Sequence, residues 1–189
     1  MSPAEVLGLE IKQYGNEEIK TLVPRIVGKT TNAEIKKEVK QSVRWTLEAF
    51  STELRKKYGQ ESVDIATEIL KRIEDKGADL YYGYGRVQGI ITPYIVIGQY
   101  SNTLFAVATY GKIEIHFQHL KNKPPFTKIE MRQGLLKRLN DIKGMNIPED
   151  GVERRPSFLI TILNIEQKLN SFLETFYWVI DEVKKAQEN

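Results

Sequence analysis

From Ile35 to Tyr58 apolar residues return every three or four positions, as Ile35, Val39, Val43, Leu47, Phe50, Leu54 and Tyr58. That spacing draws one stripe along a helix and predicts a long first helix over 31–58. A capping-box spacing from Thr31 to Glu34 opens it, and Gly59 closes it after Lys56, Lys57 and Tyr58. Val63, Ala66, Ile69, Leu70 and Ile73 predict a second helix from Ser62 to Lys76, stopped by Gly77. The two together read as an αα-hairpin. Beyond them the period shortens from 3.6 to 2: GRVQGIITPYIVIGQY, TLFAVATY and KIEIHF predict three strands of an antiparallel meander, with Ile113, Ile115 and Phe117 on its inner face.

A Thr127 to Glu130 spacing predicts the start of a third helix, which turns Met131, Leu135, Leu136, Leu139 and Ile142 inward and ends at Gly144. After the charged, proline-bearing segment NIPEDGVERRPSF and the tetrapeptide ITIL, a last helix starts near Asn164. Its stripe is Ile165, Leu169, Phe172, Leu173, Phe176, Ile180 and Val183. Ahead of all this, VLGLEIKQY and IKTLVPRIV predict a β-hairpin joined by GNEE, with Pro24 marking an edge. An isolated hairpin is marginal in water, so this one requires something to pack on. The fold class is α+β: a three-stranded antiparallel meander packed by about four helices, 31–189, preceded by an N-terminal hairpin, 1–30.

Composition narrows the chemistry. A chain of 189 residues, 41% hydrophobic, can bury a substantial core. With no cysteine, this chain has no disulfide, thiolate zinc site, iron–sulfur cluster or cysteine nucleophile. The 28 basic and 25 acidic side chains leave a net charge of +3, too mild to demand a polyanion. No apolar run approaches the ~20 residues that span a bilayer, and MSPAEVLGLEIKQY lacks the pattern of a signal sequence. The reading is a soluble cytoplasmic protein, without a membrane partner or cofactor.

Glu10 and Lys12 share a strand face and resemble half of a metal-nuclease site, in which a carboxylate holds the cation. The partner carboxylate from a preceding strand is absent: Glu5 is the sole acid upstream and lies on the same segment. No catalytic residue and no metal ligand is assigned. GYGRVQG, Gly83 to Gly89, leads into a strand where a phosphate cradle would open a helix. It reads as a turn or bulge, with a small anion-binding nest at Gly83, Gly85 and Arg86 as the alternative. His116 and His119, three apart at a strand end, fall on opposite faces and suit neither zinc nor general-base chemistry.

The polar signal that remains is basic and aromatic. Lys36, Lys40 and Arg44 recur every four residues along the first predicted helix, near Arg55 and Lys56, and residues 29–58 hold eight basic against four acidic side chains. Such a ridge tracks phosphates or, more blandly, is a solvated helix face. Six of nine tyrosines, including Tyr82 and Tyr84, fall between 81 and 110 beside Arg86. They suit base stacking or simply strand propensity. The candidate nucleic-acid-binding residues are therefore Lys36, Lys40, Arg44, Arg55, Lys56, Arg86, Tyr82 and Tyr84. ERRP, Glu153 to Pro156, reads as a loop anchor through salt bridges.

MSPAEVLGLEIKQY, KTLVPRIVGKT, the meander, YGKIEIHFQHLKNKPPF, LLKRLNDIKG, RRPS and FLETFYWVIDEV together resemble the C-terminal half of a family of uncharacterised bacterial and archaeal proteins. In that family a restriction-endonuclease-like domain of the tRNA-endonuclease-like superfamily precedes this region. The resemblance implies that the metal ligands lie upstream, that LGLEIKQY is a late strand of the nuclease-like domain, and that Met1 is an internal start, a truncation or the edge of a split protein. It implies a non-catalytic module associated with DNA or RNA, and a separate nuclease-like domain as a partner. Two rival readings stand beside it. One is a structural module or homodimer without nucleic-acid binding, and the other a metal nuclease completed in trans.

Overall fold

The computed structural model describes residues 8–15, 20–27 and 43–188, with side chains from 43 to 186. The chain divides into two compact units, Met1–Ser42 and Val43–Asn189. In the first, β1 (Gly8–Gly15) and β2 (Lys20–Val27) form an antiparallel hairpin, with Glu10 opposite Arg25, Lys12 opposite Val23 and Pro24 opposite Ile11.

The second unit is α+β. It opens on β3 (Val43–Arg44), followed by α1 (Leu47–Asp75). Thr46 is the N-cap of α1, its hydroxyl accepting the Ala49 N–H at 3.1 Å. At Gly59 the backbone leaves helical geometry, φ +79°, a conformation side chains rarely tolerate. Gly59 thus ends the first helix as its sequence predicts, and the second follows it directly across a kink, without a loop. The next strands are β4 (Asp79–Tyr82), β5 (Tyr84–Gly85), β6 (Ile90–Ile97), β7 (Tyr100–Thr103), β8 (Phe105–Ala108) and β9 (Lys112–Ile115). They lead to a single-turn helix α2 (Phe117–Leu120), α3 (Ile129–Asn140), a 3-10 turn over Glu149–Glu153, β10 (Ser157–Leu159), a second 3-10 turn over Ile160–Leu163, and α4 (Glu166–Glu188). Among the described residues, no helix is long and apolar enough to cross a membrane.

The meander is the middle of a larger sheet, ordered β10-β9-β8-β6-β4, with β7 pairing the far end of β6. Every pairing is antiparallel. β7 and β8 are one strand interrupted by a bulge: Tyr94 pairs Thr103, yet Ile91 pairs Val107, so one extra residue, Leu104, is accommodated. Leu104 and Phe105 are both buried, and so are the remaining residues of β8 on either face. Ile91, Ile95, Phe105, Val107, Ile113 and Ile115 form the core face. On it, α4 sets Phe172 and Phe176 edge-on against Phe105, with ring centroids 5.2 and 4.6 Å away. Phe158 of β10 joins Phe172 at 6.0 Å.

Two element ends depart from the sequence reading. Phe117 begins α2 instead of extending β9, and α3 starts at Ile129 with no side-chain cap, so the Thr127 to Glu130 spacing is not used. Arg132, almost fully buried, holds the segment before α3 in place: its guanidinium donates to the Phe126 carbonyl at 2.7 Å, the Thr127 carbonyl at 2.9 Å and Glu153 at 2.6 Å.

Candidate functional site

Lys36 and Lys40 lie outside the described residues. Arg44 does not continue a helix from them: it is a strand residue, register-paired with Tyr84 of β5. The Trp45 N–H donates to the Gly83 carbonyl at 3.0 Å and Thr46 caps the next turn, so α1 cannot extend upstream of Leu47. Arg55 and Lys56 follow nine and ten residues after that cap, roughly 14 Å along the axis at helical rise. Arg55 donates to Gln60 at 2.6 Å.

The tyrosines divide by strand alternation. Tyr82 packs on the core, and burial, then Glu74, raises its phenol above the ordinary value. It is not an open stacking surface. Tyr84 is 61% exposed and stands directly across from exposed Arg44, with Arg86 exposed in the following turn. Val43 and Val87 are the exposed apolar residues of the same corner.

The glycines of GYGRVQG make room for Trp45. A Cβ on Gly89 would lie 2.6 Å from the indole ring, and one on Gly85 only 2.5 Å from the Gln88 carbonyl oxygen and 3.3 Å from the indole nitrogen. None of Gly83, Gly85 and Gly89 has positive φ. The anion-binding nest, which needs a left-handed residue, is therefore not formed.

The other polar centre lies on the second face of the sheet. Alternation about the printed pairs puts Tyr81, Thr92, Tyr94, Val96, Thr103, Ala106, Lys112, Glu114, Ser157 and Leu159 there, opposite to the core. The Glu114 carboxylate accepts from the Tyr110 hydroxyl and from Arg155 at 2.6 Å. Arg155 also donates to His116 Nε2 at 2.8 Å, which places the proton of a neutral ring on Nδ1. That nitrogen is buried without a partner. His116 is 4% exposed; burial first, then Arg155 and His119, push it down to about 3. Tyr110 is pushed up to about 12 by burial, then by its hydrogen bond to Glu114. His119, also lowered, by burial and then by Arg155 and Lys123, does not lie on the far side of a strand. The helical turn of α2 brings its ring within 5.2 Å of His116.

The ERRP loop is anchored as its sequence suggests, Arg155 to Glu114 and Arg154 to Asp150. Sequence reasoning missed the Tyr110–Glu114–Arg155–His116 array; its one local trace is the alternation Lys112, Glu114, His116. Among the described residues no group of three or more His, Asp or Glu could hold a metal ion. No family model, curated protein or solved structure matches this chain.

Proposed function

We propose that this chain is a non-catalytic module that associates with nucleic acid. The observation that carries the reading is the cross-strand pairing of Arg44 with Tyr84, both exposed, beside exposed Arg86. An arginine held opposite an aromatic ring offers a phosphate contact and a stacking surface at adjacent positions of one short ribbon. The nuclease-family resemblance of the sequence agrees with it and supplies no site residue.

The test is fluorescence anisotropy of labelled single- and double-stranded DNA and RNA across a salt series. Binding weakens steeply with salt, and the double variant Arg44→Glu, Arg86→Glu lowers the slope by about two, one per lost phosphate contact. An unchanged slope removes this corner from the interface. No binding at low salt, with self-association seen by light scattering, favours the rival protein-interaction module, for which exposed Val43 and Val87 supply apolar contact.

A further inference from the structure

The ribbon that sets Arg44 across from Tyr84 is short on both sides, Val43–Arg44 against Tyr84–Gly85. Pairing of that length does not hold itself together in water. What keeps β3 in register is the next residue. The Trp45 N–H donates to the Gly83 carbonyl at 3.0 Å, and the half-buried indole packs against the core from a seat bordered by Gly85 and Gly89.

The glycine side of this seat is tied to the main sheet. Gly83 donates to the Ile90 carbonyl at 2.9 Å, while Gly89 accepts from the Thr109 N–H and donates to its hydroxyl, both at 2.9 Å. A Cβ at Gly89 would lie 2.6 Å from the ring, so the indole fills the seat without slack. The fit is one of shape alone: the indole Nε1 is buried and meets no acceptor among the described residues. A donor placed so forgoes the hydrogen bond it makes in water, which brings the seated ring closer in free energy to an unseated one.

We propose that Trp45 is the latch of the Arg44–Tyr84 site. With the indole seated, Arg44 stands across from Tyr84 and the two engage one ligand; with it unseated, β3 leaves β5 and the guanidinium loses its place. A ligand that needs both residues binds the seated form alone, so binding and seating favour each other. Trp45 is a positioning residue: it acts through Arg44 and needs no contact of its own with the ligand. The inference rests on the nucleic-acid reading of this corner and deepens it, by naming what assembles the site.

The experiment is the anisotropy salt series, with the same labelled DNA and RNA, on the full chain and on Arg44→Ala, Trp45→Ala, Trp45→Phe and Gly89→Ala. Arg44→Ala lowers the slope by about one. Trp45→Ala removes no charge, yet it lowers the slope by about one as well, and adding Arg44→Ala to it changes affinity by less than about twofold. Trp45→Phe, which keeps a ring in the seat, retains the parent's slope. Gly89→Ala displaces the indole without altering Trp45 or any charge, and lowers the slope in the same way; it carries the test if circular dichroism shows Trp45→Ala unfolded. If Arg44→Ala lowers the slope while Trp45→Ala and Gly89→Ala leave it at the parent's value, the latch is overturned and the site reading stands. Weaker binding by Trp45→Ala at an unchanged slope, with Gly89→Ala binding like the parent, also overturns the latch, because the indole then touches the ligand itself. If Arg44→Ala leaves the slope unchanged, the corner is no interface and the latch falls with it. If the parent binds no nucleic acid at low salt, both readings fail.

Discussion

His116 is a residue whose neighbours decide its charge. In an unfolded chain its imidazole takes a proton near pH 6.5; in the folded protein burial and Arg155 hold that event down to about 3. The folded pKa is depressed, so the stability linked to this residue is present above 6.5 and is lost as pH falls toward 3. Urea unfolding at pH 6.5 and pH 5 should differ by about 1.5 kcal/mol from this residue, and His116→Gln should remove that portion. A parent protein equally stable at both values would show that the ring is not held neutral. Very little of this was legible in the sequence. HFQH indicates two histidines three apart, but whether they oppose or approach each other depends on where β9 ends. Arg155, 39 residues downstream, meets His116 only because β10 is laid beside β9.

At the scale of elements, long stripes were readable and short pieces were not. Phe172, Leu173, Phe176, Ile180 and Val183 are all buried on α4 as their spacing predicts, and so are Val63, Ala66, Ile69, Leu70 and Ile73 on α1. DLYY and SFL are too short to show a period, and their strand conformation comes from pairing with β6 and β9. Val43 and Leu47 fit the helical stripe yet are exposed, because the segment before Thr46 is taken by pairing with β5 and by the seating of Trp45. Trp45 against Gly89 is therefore a contact between elements that fixes where a helix starts. Gly89→Ala forces a methyl group into the indole ring, at a cost of about 1–3 kcal/mol. Chemical denaturation reads the loss, and tryptophan emission should shift with it. An unshifted spectrum at full stability would mean that the ring and the glycine are not in contact.

Over the second unit as a whole, the core is an aromatic-centred layer between sheet and helices, and Phe172 touches Phe105, Phe158 and Phe176 within it. Phe172→Ala should cost about 3–5 kcal/mol, lowering Tm by roughly 6–20 °C for a domain of this size; a calorimetric scan settles it. The α+β class was legible because both periodicities are present in long runs, whereas the breadth of the sheet was not, being built partly from strands with no pattern of their own. The bulge at Leu104 sets which side each residue of β8 serves. Along a strand, a one-residue change of register exchanges the two faces. The bulge absorbs such a change at one place: with Leu104 deleted in frame, Thr103 still meets Tyr94, Phe105 meets Pro93 and Val107 meets Ile91, and none of them changes sides. Deleting Ala106 instead closes the gap by setting Phe105 opposite Thr92, with its ring on the outer face. Leu104 is the spare link of this chain: taking it out shortens the chain without turning it. A gene library should tolerate the loss of Leu104 better than the loss of Ala106.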